Sequence, residues 1–414
     1  MSTPGDLRRI FKACVINPIA ADRVDRYDPG YLIVTGTRIE RLSRDDPRPA
    51  FPSAEFMDLG NKTILPGFVD THIHLPQFRI MGVGSGDLLT WLNKFTYPEE
   101  ARFRNPEYAV KVAGEFFDAV AAHGTTTALV YSSIHEEATD LAFSAARKKG
   151  IRAFIGKVMM DRNSPEALLE DTEASIARSL RLFEKWDGAE SGRLRYVFTP
   201  RFAGSCSLEL MKRVGKIARD RHAFVQSHLS ENIDEVRWVR RLFPECASYT
   251  AIYDSAGMLT ERCIMAHCIH LSTDEIARLS RSQVNVAFCP YSNRTLGSGT
   301  MPYRKLRDAG LNISLGTDVA GGPSLAMLEQ MQETIAAANI SWSEALYLAT
   351  LGGAKALGLS DQIGNFETGK DADFVVVDGL SVREVYVGGK LLQMVCERPP
   401  AAFGGSPPHG GGES

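Results

Sequence analysis

Two histidines one residue apart suggest where the chemistry lies. Residues 66–77 read PGFVDTHIHLPQ, with His72 and His74 at the end of a short apolar run. On a strand, side chains two apart leave the same face, so both imidazoles project together and can grip one divalent metal. Three further metal-competent residues, His228, His267 and Asp318, also stand at the ends of apolar runs. Histidines that only fill a core have no reason to sort that way.

Residues so far apart in the chain need a scaffold that brings strand ends together. Runs at 67–74, 125–131, 152–159, 195–202, 223–228, 263–267, 284–289 and 312–317 read as strands, and helical periodicity fills the gaps, for example at 107–122, 165–186, 208–219 and 343–357. Eight strand-then-helix alternations predict an α/β fold, a parallel (β/α)₈ TIM-type barrel with its chemistry at the carboxyl ends of the strands. Short strand-like runs at both ends of the chain predict a small β-sandwich formed by the N- and C-terminal segments, residues 1–65 and 367–396, beside a metal-dependent barrel of residues 66–366. Residues 397–414, rich in Pro, Gly and Ser, read as a flexible tail. The aromatic-rich insertion at 82–104 follows the His-x-His strand directly; it reads either as a flap over the site or as a helix on the barrel rim.

Composition narrows the partners. The 414 residues carry a net charge of -3 with both signs mixed, which offers no basic footprint for nucleic acid and leaves a small molecule or a protein as partner. Seven scattered cysteines without a Cys-x-x-Cys pair predict a reducing, cytoplasmic setting. No apolar run reaches membrane-spanning length, so the chain is expected to be soluble and away from membranes.

A barrel with His-x-His, single histidines ending strands five and six and a final Asp resembles the amidohydrolase superfamily. Within it, PGFVDTHIH with Gln77, LLTWLNKFTYPEEARF (88–103), TPRFAGSCS (199–207), QSHLSEN (226–232), FCPYSN (288–293) and GTDVAGG (316–322) resemble the guanine deaminase family. That resemblance implies hydrolytic deamination of a purine to its oxo product and ammonia by a metal-activated hydroxide. It implies one Zn²⁺ per chain, with Fe²⁺ as the other candidate, held by His72, His74, His228 and Asp318. Asp318 would be a long ligand that also accepts the water proton. Glu231 would be the general acid/base, and His267 would hold the nucleophile or serve as a fifth ligand. Arg201, Gln77 and Phe202 would read the purine edge and stack on its face. A homodimer is implied on the same ground.

Some features set limits on that picture. Dinuclear relatives bridge two metals with a lysine at the end of strand four, where this chain reads VFTPRF, so one metal is expected and Lys157 is read as structural. Phe288, Arg294 and Pro323 depart from the pocket segments of relatives, which bears on fine specificity. The rival readings are a deaminase or chlorohydrolase of another aminated purine, pterin or triazine, and a non-catalytic scaffold barrel. The cytidine-type zinc deaminase pattern is absent. His123 and His222 are expected to be structural, His135 and His270 to stand behind the site, and His409 to lie in the tail.

Overall fold

The computed structural model describes residues 7–84 and 86–395. The tail expected at 397–414, with His409, lies outside them. The chain opens with β1 (Arg8–Ala20), β2 (Arg23–Thr35), β3 (Arg38–Ser43) and β4 (Glu55–Pro66). The barrel strands follow: β5 (Phe68–His74), β6 (Thr125–Tyr131), β7 (Arg152–Gly156), β8 (Val158–Met159), β9 (Leu194–Pro200), β10 (Phe224–Leu229), β11 (Cys263–His267), β12 (Asn285–Phe288) and β13 (Asn312–Leu315). The last strands are β14 (Phe374–Asp378), β15 (Ser381–Val387) and β16 (Lys390–Met394).

The barrel strands pair in parallel in the order β13-β12-β11-β10-β9-β7-β6-β5, with β8 beside β9. The expected third strand is thus broken at Lys157, giving eight staves from nine segments. Both faces of these strands are covered by protein, which is why they read as continuous apolar runs and not as alternating ones. Val69, Leu129, Phe154, Val197, Phe224, Ile264 and Ala287 of the barrel strands pack with Ala354, Leu357, Leu359 and Ile363 in one buried apolar cluster. A packed interior leaves the carboxyl ends as the place for chemistry. The Thr71 hydroxyl donates to the Leu315 carbonyl at 2.9 Å and the Asp318 N–H to the His72 carbonyl at 2.8 Å, which closes the ring between its first and last strands.

The two ends of the chain build one β unit, as expected. In hydrogen-bond terms it is a single seven-stranded sheet, ordered β16-β15-β14-β4-β1-β2-β3, whose halves share a core of residues that include Phe11, Leu32, Ile64, Phe374 and Tyr386. One residue, Gly67, separates β4 from β5. A β-carbon there would lie 2.2 Å from the Thr126 hydroxyl oxygen, so the seam accepts only glycine.

The insertion forms a helical run, Leu88–Trp91, Leu92–Thr96, Tyr97–Ala101 and Arg102–Arg104. It is started by the Asp87 carboxylate, which accepts the Thr90 N–H at 2.8 Å. Its buried face presents Leu88, Trp91, Leu92, Tyr97 and Phe103. Among the described residues no helix is long and apolar enough to cross a membrane, and the six described cysteines are free thiols.

Candidate active site

The carboxyl ends of β5, β10, β11 and β13 converge on one buried point. His72 Nε2 and His74 Nε2 stand 3.2 Å apart, and His228 Nε2 is 3.2 Å from His74 Nε2. Asp318 Oδ1 is 3.2 Å from His72 Nε2 and 3.4 Å from His74 Nε2. On its other side Asp318 Oδ2 faces His267 Nε2 at 3.8 Å.

Neighbouring polar groups hold this arrangement. Asp70 accepts the Thr317 hydroxyl at 2.6 Å, the Thr317 N–H at 3.1 Å and the His72 N–H at 3.2 Å, which links the first and last strands directly beneath the cluster. His267 and Asp318 both take left-handed backbone conformations, with φ of 70° and 49°. Non-glycine residues accept such angles only where surrounding contacts impose them, and such residues gather at functional sites.

The electrostatics favour a cation. Burial lowers the pKa of all three clustered imidazoles, that of His74 to about 4, which favours their neutral forms. Burial pushes Asp318 up, but the His72, His74 and His267 rings outweigh it and keep the carboxyl ionised. His228 Nδ1 lies 2.6 Å from the Arg201 carbonyl oxygen, which can only accept, so Nδ1 carries the proton and Nε2 turns a lone pair toward its neighbours. Neutral imidazole nitrogens and an ionised carboxylate, all converging, are candidate ligands for a divalent metal.

A pocket opens beside the cluster. It is lined by His74, Gln77, Arg201, Phe202, His228, Glu231, His267 and Asp318, with Leu88, Leu89, Trp91 and Leu92 of the insertion forming a wall. The insertion therefore packs on the barrel and walls one side of the pocket. Arg201 and Phe202 sit just past the end of β9, beyond the strand proper. The Phe202 ring leans on Trp238, centroids 5.7 Å apart.

Glu231 stands where the chain leaves β10 for the helix Ile233–Leu242. Its Oε2 is 3.4 Å from His267 Nε2, and its Oε1 accepts the Ser298 hydroxyl at 3.3 Å. Burial, with the nearby Asp318 charge, raises its pKa to about 8. The Glu231 and Asn232 N–H groups both donate to Glu235 Oε2, at 3.1 and 3.3 Å.

Of the site residues expected from the sequence, all but His72 line this pocket, and His72 stands beside His74 in the imidazole cluster. The remaining histidines lie elsewhere: His123 and His222 end helices, and His135 begins one. His270 holds the Ser298 carbonyl at 2.8 Å, one residue removed from the pocket. Lys157 is ion-paired with Glu170, which also binds Arg178, so its ammonium is occupied away from the imidazoles.

Other contributors were not evident from sequence. Asn293 Oδ1 faces His267 Nδ1 at 2.9 Å and sets that ring's tautomer. Glu100 accepts hydrogen bonds from both Gln77 and Arg201. Glu100 and Asn293 lie inside the quoted stretches 88–103 and 288–293, but only the fold says what they touch.

With the geometry in hand, comparison with known proteins is direct. Guanine deaminase of Dictyostelium discoideum is 42% identical over 334 residues, 78% of this chain and 74% of the relative. Guanine deaminase of Escherichia coli (strain K12) is 43% identical over 327 residues, with the same shares of each chain. The crystal structure of guanine deaminase from C. acetobutylicum with bound guanine in the active site superposes with a TM-score of 0.89 at 32% identity, over 93% of this chain and 99% of that one. Residues 63–395 match the amidohydrolase family model. Barrel, clustered imidazoles and terminal aspartate thus agree with sequence kinship, and the chain belongs to the amidohydrolase family.

Proposed function

We propose that this protein hydrolyses guanine to xanthine and ammonia. The observation that carries the reading is the meeting of Arg201, Gln77 and Phe202 with Glu231 and the imidazole cluster in one pocket, in a chain whose relatives are guanine deaminases.

The donor set suits one Zn²⁺ per chain, with Fe²⁺ as the alternative, on His72, His74, His228 and, more loosely, Asp318. Such an ion lowers the pKa of water from about 15.7 to about 7 and so supplies hydroxide at neutral pH. Asp318, kept ionised, accepts the proton that water gives up. His267 steadies the nucleophile through Nε2, its Nδ1 being engaged by Asn293. Glu231, with its pKa raised to about 8, hands its proton to the ring nitrogen beside C2 as oxygen adds there; Asp318 then passes the proton it took from water to the departing amine, and Glu231 regains a proton from the new C2 hydroxyl as the carbonyl forms and ammonia leaves. One water enters and one ammonia leaves. Arg201 donors fit the O6 and N7 acceptors of guanine, Gln77 offers one donor and one acceptor, and Phe202 supplies an aromatic face.

The remaining readings rest on composition and resemblance. The partner is a small purine, without nucleic acid or membrane, in a cytoplasmic homodimer. The chain divides into the barrel of residues 66–366 and a second unit drawn from the segments 1–65 and 367–396. Incubating metal-replete protein with guanine, adenine, 8-oxoguanine and ammeline while following ultraviolet absorbance tests the activity. Guanine is expected to be consumed with one ammonia released per turnover, and a guanine spectrum that stays unchanged would refute the reading.

A further inference from the structure

We propose that Glu100 is a positioning residue that fixes, before substrate arrives, which atoms of Gln77 and Arg201 face the purine; the assignment rests on the guanine reading above. Glu100 comes from the insertion, not from the barrel, and is 5% exposed. Its Oε1 accepts from Gln77 Nε2 at 2.9 Å and its Oε2 from Arg201 Nη1 at 2.5 Å.

The directions follow from the chemistry of the groups. An ionised carboxylate only accepts, so the Gln77 amide must turn its nitrogen toward Glu100. At the other end of the amide, Gln77 Oε1 accepts the Ala320 backbone N–H at 3.2 Å, and that group only donates. Both ends therefore demand the same orientation, and the flipped amide would set donor against donor and acceptor against acceptor. What Gln77 has left for a ligand is one N–H and one oxygen lone pair.

Arg201 is constrained in the same way. The residue is 3% exposed, and a charge so buried needs a counter-charge. Burial lowers its pKa, but Glu100 more than offsets this and keeps the guanidinium charged. With Nη1 committed to Glu100, the other guanidinium nitrogens remain for the purine. Pocket donors that need no reorganisation on binding spend less of the binding free energy on ordering. Because Glu100 shares its helical run with Leu88, Trp91 and Leu92, the same contacts pin the pocket wall to the barrel mouth.

The test is a double-mutant cycle on guanine turnover with parent, Glu100→Gln, Gln77→Ala and the double variant, read as KM and kcat. KM does not depend on the fraction of protein that is folded. In Glu100→Gln the new amide must point its own donor at Gln77 or at Arg201. Its kcat/KM is expected to fall about 100-fold, chiefly through KM. Adding Gln77→Ala should then cost little more, since the two act through one contact. Glu100→Asp, which keeps the charge but withdraws it by one carbon, is expected to raise KM by an intermediate factor and covers the case of a Glu100→Gln chain that does not fold. A working parent with KM unchanged in either Glu100 variant, or penalties that multiply in the double variant, would overturn this assignment alone. A parent that leaves guanine intact would overturn both this assignment and the activity reading.

Discussion

Burial and the facing Asp318 charge push the Glu231 pKa up to about 8, outweighing the Ser298 hydroxyl and the Arg201 charge, which favour its ionised form. Those conditions make it a proton donor where a surface glutamate would be a spent one. Glu231→Gln should therefore keep the metal but lower kcat by roughly 10²–10⁴-fold, as read by steady-state kinetics beside elemental analysis. A variant within a factor of ten of the parent would remove Glu231 from proton transfer. At this scale the sequence was informative wherever a residue type is rare and its position marked. His72, His74, His228, His267 and Asp318 end apolar runs, and Glu231 follows His228 by three residues. Glu100, Asn293 and Ser298 could not be singled out, because their roles consist of hydrogen bonds to residues distant in the chain, across 101 positions for Glu100 and Arg201.

The helix Ile233–Leu242 shows how an element serves the site at its end. Asn232 and Glu235 form a capping box, and Glu235 also accepts the Tyr249 hydroxyl at 2.6 Å. Burial raises the Glu235 pKa from 4.5 to about 7. Between those values the folded chain keeps a proton that the unfolded chain has released. The stabilisation this gives is complete below about pH 4.5 and is lost as the pH rises through about 7. Glu235→Gln can accept the same backbone N–H groups and titrates nowhere, so its urea stability should vary less across that window than the parent's, by roughly 3 kcal/mol. Parallel pH slopes for the two proteins would refute the assignment. The barrel strands were legible because strands covered on both faces are apolar throughout. Their ends were less so: Arg201 and Phe202 read as strand but lie beyond β9, since an apolar pattern does not say where pairing stops. Residues 23–30 of β2 were missed because RVDRYDPG is polar and turn-like, and its pairing with β1 is a tertiary fact.

At the scale of the whole molecule, the imidazole cluster and Asp318 bring four strands of the barrel mouth together at one buried point that offers candidate ligands to a cation. Removing a divalent ion with a chelator should lower the thermal midpoint as well as abolish activity, and restoring the ion should reverse both. An ion present at about 1,000 times its Kd stabilises by about 4.1 kcal/mol. A midpoint that does not move on chelation would argue that no ion bridges these strands. The eight-fold alternation made the barrel legible as a whole, and the shared character of the two chain ends made their union legible. The continuous ladder that joins them was not, because strand order is set by pairing and not by pattern. That ladder has a consequence for synthesis. The strand bearing the histidine pair continues β4 across one glycine, and β4 is flanked by β1, made at the outset, and by β14, which begins only at Phe374. A growing chain thus carries its first two imidazoles on a strand whose continuation, β4, gains its second partner only once β14 has been made.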